Sequence, residues 1–541
     1  MKYIILTLSG RYHETENQTK SLASRSEGKV FQFDKFLILI EKIISDKKIK
    51  KVLIDCKNDF SVNFYQGALN IKQQLSRLDE SGKEVWFFSR EYSGIHLYLA
   101  SGCSKRAINP FGTLKFMGIS RNFLFFKRFL KKQNIDSTII RRGKFKSAGD
   151  AFRSETIDES NRVQHEAILD TIMDEIIHTL TAFYGKTKLE IDELLQGNIL
   201  SAEEAQKNGW IDNVTDPFSL CKEWEDGKIK RKKITKLRPF YGKGKKIAVL
   251  TFDGAIAEGE SRQDALLGRI IGCDSYIPHI KKIADDNSIK GVVFRINSGG
   301  GSGTASEEVV NAIAKLREKK PVVVSMSEVA GSGGYWIGLQ SEKIFAGKMT
   351  ITGSIGVISM WFYLQNLLKK YGITHNVLKQ GDYADIGSPF RKMSHHEWIK
   401  LDSMIDKMYW QFIDKVALAR NMSHEEIHNI AEGRIWTGEK AKEIGLIDEV
   451  GDLSDAIRYL QKTLGLKKTK VCFYPRIKHS FVERLLTRHY GGIKMFSSES
   501  ELSVNSILTS ELFSMAHKAL PIMPESLNPY QLSAMYRYQQ F

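Results

Sequence analysis

The residues best suited to chemistry lie in Val329-Ala330-Gly331-Ser332-Gly333-Gly334-Tyr335-Trp336, a serine flanked by glycines after an apolar run. This spacing permits a tight strand-to-helix turn that presents the hydroxyl at a helix N-terminus, where backbone N–H groups favour developing negative charge. Taken alone, the segment also fits ordinary turn punctuation. A second glycine-rich turn, Asn297-Ser298-Gly299-Gly300-Gly301-Ser302-Gly303, follows an apolar run ending at Ile296. Its amides can point at an oxyanion. A phosphate cradle is the other use of such a loop, but the G-x-x-x-x-G-K-[ST] order is absent.

A serine nucleophile needs a base, and histidine is the usual one. None of the 13 histidines is an obvious partner: His395-His396 sits at a helix start, His375 in a strand-like segment, and His279 after Pro278 in a polar region. A lysine can serve instead if burial lowers its pKa from about 10.4 toward neutrality.

An internal repeat narrows the choice of lysine. Gln196-Gly197-Asn198-Ile199 through Gly209-Trp210-Ile211-Asp212 recurs as Glu432-Gly433-Arg434-Ile435 through Gly445-Leu446-Ile447-Asp448, an offset of 236. Leu6–Gly10 matches Leu250–Gly254, Ile49–Ile54 matches Ile289–Phe294, and Leu169–Asp174 matches Leu401–Asp406. Ser332-Gly333-Gly334 then corresponds to Ser93-Gly94-Ile95, so the first half lacks the second glycine of the turn. Conversely, Gly143-Lys144-Phe145-Lys146-Ser147 corresponds to Gly381-Asp382-Tyr383-Ala384-Asp385, placing Lys146 opposite an alanine. Each half keeps what the other lost.

The elements that must hold these residues alternate between strands and helices. Ile247–Phe252, Gly291–Ile296, Pro321–Ser325 and Lys343–Ala346 read as strands, with helical spacing over Ser275–Asp285 and Ser306–Glu318. Unbroken apolar strands between helices predict an α/β fold with a mostly parallel sheet in each half. Longer helices are predicted over Asn161–Tyr184 and Glu397–Ala419. The expected organisation is a first repeat over 1–220 that supplies the lysine and a basic linker over 221–245. A second repeat over 246–465 supplies the serine, and 466–541 is an extension without an assigned role.

Composition excludes several classes. A chain of 541 residues with 42% hydrophobic and 26% charged residues can bury more than one core. The net charge is +17, but outside Lys228–Lys246 the basic residues are dispersed rather than grouped with aromatic stacking positions, so no nucleic acid is expected. That basic stretch and the tail around Phe481–Arg488 allow peripheral contact with an anionic membrane surface. Five scattered cysteines give neither a zinc site nor a disulfide framework. The opening residues read as a strand, without the pattern of a signal peptide or anchor, so the chain is expected to be soluble or peripheral. Met349–Leu368 is uncharged and long enough to span a bilayer, but its polar residues predict a buried strand, a loop and a helix start.

The sequences Lys144-Phe145-Lys146-Ser147-Ala148, Ala330-Gly331-Ser332-Gly333-Gly334-Tyr335-Trp336 and Thr352-Gly353-Ser354-Ile355-Gly356 together resemble the long, duplicated form of the signal peptide peptidase A (protease IV) family over about residues 1–465. The resemblance implies a tandem ClpP/crotonase-like fold and a serine endopeptidase with a Ser-Lys dyad. Ser332 would be the nucleophile, Lys146 the general base and Ser354 the residue that orients the lysine. The N–H groups of Gly333 and Gly300 would form the oxyanion hole. It further implies an acyl-enzyme, no metal or cofactor, remnant signal peptides as substrates, a homotetramer, and an inner-membrane anchor with the enzyme facing the periplasm. The family's Asn-Ser-Pro-Gly-Gly turn carries Gly299 in place of proline here. An acyl-CoA enzyme of the crotonase fold and a catalytically inactive membrane-associated scaffold are the alternatives.

Overall fold

Strands covered on both faces need apolar side chains throughout, and the unbroken Val, Ile and Phe runs of both repeats fill that position. The computed structural model describes residues 1–15, 29–237, 244–264 and 268–475. The tail around Phe481–Arg488 and part of the basic linker lie outside the described residues.

In the first repeat six strands run parallel in the order Asn213–Val214, Lys105–Ile108, Glu84–Ser89, Ile49–Cys56, Lys2–Leu8 and Lys230–Arg231. The second repeat repeats this scheme. Its path runs Ile351–Gly353, Val322–Gly331, Ile289–Ser298, Lys245–Asp253 and Thr469–Tyr474 in parallel, with Lys343–Ala346 branching from Val322–Gly331. Ile435–Thr437 closes one edge antiparallel. The two edge strands Lys230–Arg231 and Thr469–Tyr474 come from the stretches read as linker and C-terminal extension.

The strand predicted over Pro321–Ser325 runs on to Gly331, buried at every residue, and delivers the chain to Ser332. Within Met349–Leu368 the chain forms the buried strand Ile351–Gly353, the strand Val357–Tyr363 and the start of the helix Gln365–Lys370. No helix among the described residues is long and apolar enough to cross a membrane. His375, predicted in a strand, lies in none.

The two long helices are Glu159–Tyr184 and His395–Arg420, each of 26 residues, capped by Asp158 and Ser394 and ended by left-handed Gly185 and Asn421. Both polar caps satisfy an amide of the first turn, and both left-handed residues end the helix as such positions commonly do. Aligned cap to cap, Asp406 matches Asp170, one helical turn away from the pairing that the Leu-Asp motifs suggest.

The repeats are joined at several places, two of them by strand pairing and by a buried ion pair. Val357–Tyr363 leaves the second repeat and pairs antiparallel with Asp136–Arg142 of the first, with Met360 opposite Ile139 and Val357 opposite Arg142. At the other tie the buried Arg295 meets both carboxylate oxygens of buried Glu14 at 3.0 Å, and also donates to Ser325 and Ser327 Oγ at 2.8 Å. A buried pair is tolerable when its donors all find oxygens, because an unpaired charge there costs several kcal/mol. One apolar cluster also crosses the boundary, joining Leu6, Ile54 and Phe87 to Val249, Val293 and Val323.

Candidate active site

Ser332 follows a fully buried strand and precedes the short helix Gly333–Gly338. Its backbone sits at φ +52° and ψ −122°, a conformation that costs a non-glycine residue about 1–3 kcal/mol. The turn is held by Ser332 N donating to Gly353 O at 2.9 Å and by Trp336 N donating to Ser332 O at 2.9 Å. The glycines on either side are steric requirements. A Cβ on Gly334 would run into the carbonyl of Ser298, and one on Gly300 would lie 2.6 Å from Gly333 N and 2.7 Å from Ser332 Cβ. The two glycine-rich turns therefore touch through bare backbone.

The first repeat shows what happens when those requirements lapse. Ser93 has φ −110° and closes an ordinary capping box, its hydroxyl 2.9 Å from His96 Nδ1. Phe116, at the position matching Ser354, fills the space that a Cβ on Gly94 would need.

Lys146 reaches the serine across the repeat boundary. Asp136–Arg142, fixed on Val357–Tyr363, leads into the turn Gly143–Lys146, and there Lys146 is 5% exposed. Its Nζ lies 3.0 Å from Ser332 Oγ, 3.0 Å from Ser354 Oγ and 2.8 Å from Ser354 O. Burial alone lowers the ammonium pKa to about 7, since desolvation disfavours the charged form. Lys144, two residues earlier, points outward and pairs with Glu432 at 2.7 Å. Ser332 Oγ meets no histidine among the described residues.

The lysine turn is clamped by groups that motif reading does not reveal. Arg141 donates to Lys146 O at 2.9 Å and contacts Asp150 at 3.1 Å. Arg142 reaches into the second repeat, to Asp402 and Asp406, each at 2.7 Å. Gln164 spans the boundary with its single amide, donating to Phe145 O and accepting from Ile435 N, both at 3.1 Å. A polar residue inside a helical apolar face is the available signal for Gln164.

Gly333 and Gly300 are brought together beside Ser332, but their amides differ. The Gly333 N–H opens the helix and donates to no group among the described residues. The Gly300 N–H donates to Ser298 Oγ at 3.1 Å, so it can meet an oxyanion only once that hydroxyl turns away. The turn is fixed from behind by Asn297, which donates to Asp253 at 2.9 Å and accepts from Val329 N at 3.2 Å. All five cysteines are buried and unbridged.

A serine hydroxyl held in a strained turn, facing a buried amine and beside the bare amide of Gly333, is an arrangement suited to nucleophilic attack on a carbonyl. Comparison with known proteins points the same way. The chain is 29% identical over 470 residues to Protease 4 of Haemophilus influenzae, covering 81% of this chain and 74% of the relative. It is 28% identical over 497 residues to Protease 4 of Salmonella typhi, covering 88% and 79%. To the chloroplastic Serine protease SPPA of Arabidopsis thaliana it is 28% identical over 416 residues, covering 74% and 61%. The model of Peptidase family S49 matches residues 77–228 and again 314–467, more than half of the chain. This serine-type peptidase, duplicated and of the protease IV and signal peptide peptidase A type, therefore belongs to Peptidase family S49.

Proposed function

We propose that the chain is an endopeptidase working by a Ser-Lys dyad assembled from its two repeats. Neutral Lys146 takes the proton of Ser332, the alkoxide attacks a peptide carbonyl, and the proton passes to the leaving amine. Water then releases the acyl group from Ser332 by the same route. Ser354 holds the amine in line, and the amides of Gly333 and Gly300 receive the oxyanion, Gly300 after Ser298 yields.

The observation that carries this reading is the Lys146–Ser332 distance of 3.0 Å in a setting where burial lowers the lysine pKa to about 7. A base poised near the working pH combines availability with proton affinity. The substrates are short apolar peptides of the remnant signal peptide kind, handled by a homotetramer in peripheral contact with the membrane surface.

The test is to trap the intermediate with an activated peptide ester, quench in acid and map the added mass. The acyl group should sit on Ser332 and be absent from Ser332→Ala. An adduct on another residue, or hydrolysis by the Ser332→Ala variant, overturns the reading.

A further inference from the structure

One corner of the first repeat differs in charge from its twin in the second. In the second repeat Lys379 and Arg391 are matched by Asp385 and Glu397: Asp385 lies 2.8 Å from Lys379 and 2.6 Å from Arg391, and Glu397 holds Arg391 as well. Gly143 aligns with Gly381, and the two long helices align cap to cap. Arg141 and Arg153 therefore keep the two cations, whereas Ser147 stands for Asp385 and Asn161 for Glu397. Two other carboxylates take over their task. Asp150 lies 3.1 Å from Arg141 and 2.6 Å from Arg153, and Asp158 faces the same pair at 3.8 and 3.6 Å. Arg121 is a third guanidinium beside them, and burial lowers its pKa only to about 10, so it stays charged at neutral pH. The corner thus carries one positive charge in excess.

The same corner holds a cavity of about 270 Å³, the solvent at its mouth included, lined by Phe123, Ser147, Asp150, Asn161 and His165 among others. His165 is 3% exposed, and neither of its ring nitrogens has a hydrogen-bond partner among the described residues. Its ring packs on Phe123 with centroids 4.9 Å apart, and the Arg121 guanidinium lies 5.5 Å from the centre of the same phenyl ring. Burial and then the charge of Arg121 lower the His165 pKa to about 3, so the ring is a neutral imidazole with one N–H. Leaving that donor buried without an acceptor is unfavourable. The other polar groups of the wall are engaged: Gln164 donates to Asn161 Oδ1 at 3.1 Å and to Ser147 Oγ at 3.4 Å, and Asp150 is held by its two arginines. What the cavity offers an occupant is therefore an unmet donor beside a cation. Leu401, at the matching position of the second long helix, offers no donor.

From this we infer that the cavity is a binding site for one small monovalent anion, a halide or a short carboxylate, held by the His165 N–H and the Arg121 guanidinium against Phe123. A single negative charge balances the excess, and hydrogen bonds from a cation to an anion are the stronger kind. A doubly charged ion would overshoot that balance beside the carboxylate of Asp150. The cavity shares Ser147 with the turn that carries Lys146, so an occupant backs this turn while touching neither Lys146 nor Ser332.

Thermal melting of the full chain tests the site, with sodium chloride, sodium acetate and the bulky sodium gluconate compared at one ionic strength. Relative to gluconate, chloride or acetate should raise the Tm of the wild type with a saturable dependence on concentration, as a ligand of the folded state does. A response to chloride alone names a halide as the occupant, and a response to acetate alone names a carboxylate. Two variants locate the effect: His165→Leu, which installs the residue of the second repeat, and Arg121→Gln. In each the half-saturating concentration should rise about tenfold or more, the loss of one charge-assisted or buried hydrogen bond. Should His165→Leu not fold, Arg121→Gln decides alone. A wild type that melts alike in all three salts, or a folded variant that keeps the wild-type midpoint, overturns the inference. The readout is binding rather than hydrolysis, so such a failure leaves the catalytic proposal standing.

Discussion

Gly433 of the second repeat lies against Lys146 of the first: a Cβ on Gly433 would stand 2.5 Å from Lys146 Cβ and 2.6 Å from its backbone nitrogen. The approach is possible because Gly433, at φ +76°, presents no side chain. Gly433→Ala should therefore displace the lysine turn while leaving Ser332 in place. A shift of about 1 Å costs roughly 10²-fold in rate, and kcat/KM for peptide hydrolysis should fall by that order. An unchanged rate would mean that the contact does not position the lysine.

The lysine pKa sets the pH dependence. Below about 7 the amine is protonated and cannot accept the serine proton; above it the base is free. In the pH profile kcat/KM should rise about tenfold per unit up to near pH 7 and then level off. A profile flat between about pH 5 and 9 would contradict a lysine base with this pKa.

Ser354 offers the amine both its hydroxyl and its carbonyl. Ser354→Ala removes one of two fixed partners, worth about 1 kcal/mol and so somewhat less than tenfold in rate. Steady-state kinetics should show the loss in kcat with little change in KM. A loss confined to KM would place Ser354 in substrate binding instead.

Glu328, four residues before the serine and fully buried, accepts from Phe64 N at 3.1 Å, and desolvation raises its pKa to about 8. The folded protein thus holds a proton that the unfolded chain loses near pH 4.5. The contribution of this one group is complete below about pH 4.5 and falls as pH rises through the window, by about 1.4 kcal/mol per unit until about pH 8. Glu328→Gln should flatten this decline, so its Tm should exceed the wild-type value at pH 8 and above. Parallel melting curves for the two proteins from pH 6 to about 9 would contradict the assignment.

Strands, the serine turn and the complementary loss of lysine and glycine were legible because each leaves a local mark: an apolar run, a glycine spacing, or a repeat mismatch. What joins the repeats was not. Val357–Tyr363 reads as part of an uncharged stretch, and nothing in its spacing shows that it pairs with a strand more than two hundred residues earlier. Glu14–Arg295 and Gln164 are single polar residues whose partners are distant in sequence. His375 read as strand from its neighbours Ile373, Val377 and Leu378, yet a strand needs a partner, and among the described residues this segment has none.

Peptide hydrolysis by single alanine variants tests the dyad most directly. Ser332→Ala and Lys146→Ala should each lose about 10³-fold or more in kcat, while Lys144→Ala, whose side chain faces Glu432, should keep wild-type activity. Full activity in either of the first two, or a dead Lys144→Ala, would contradict a dyad built from Ser332 and Lys146.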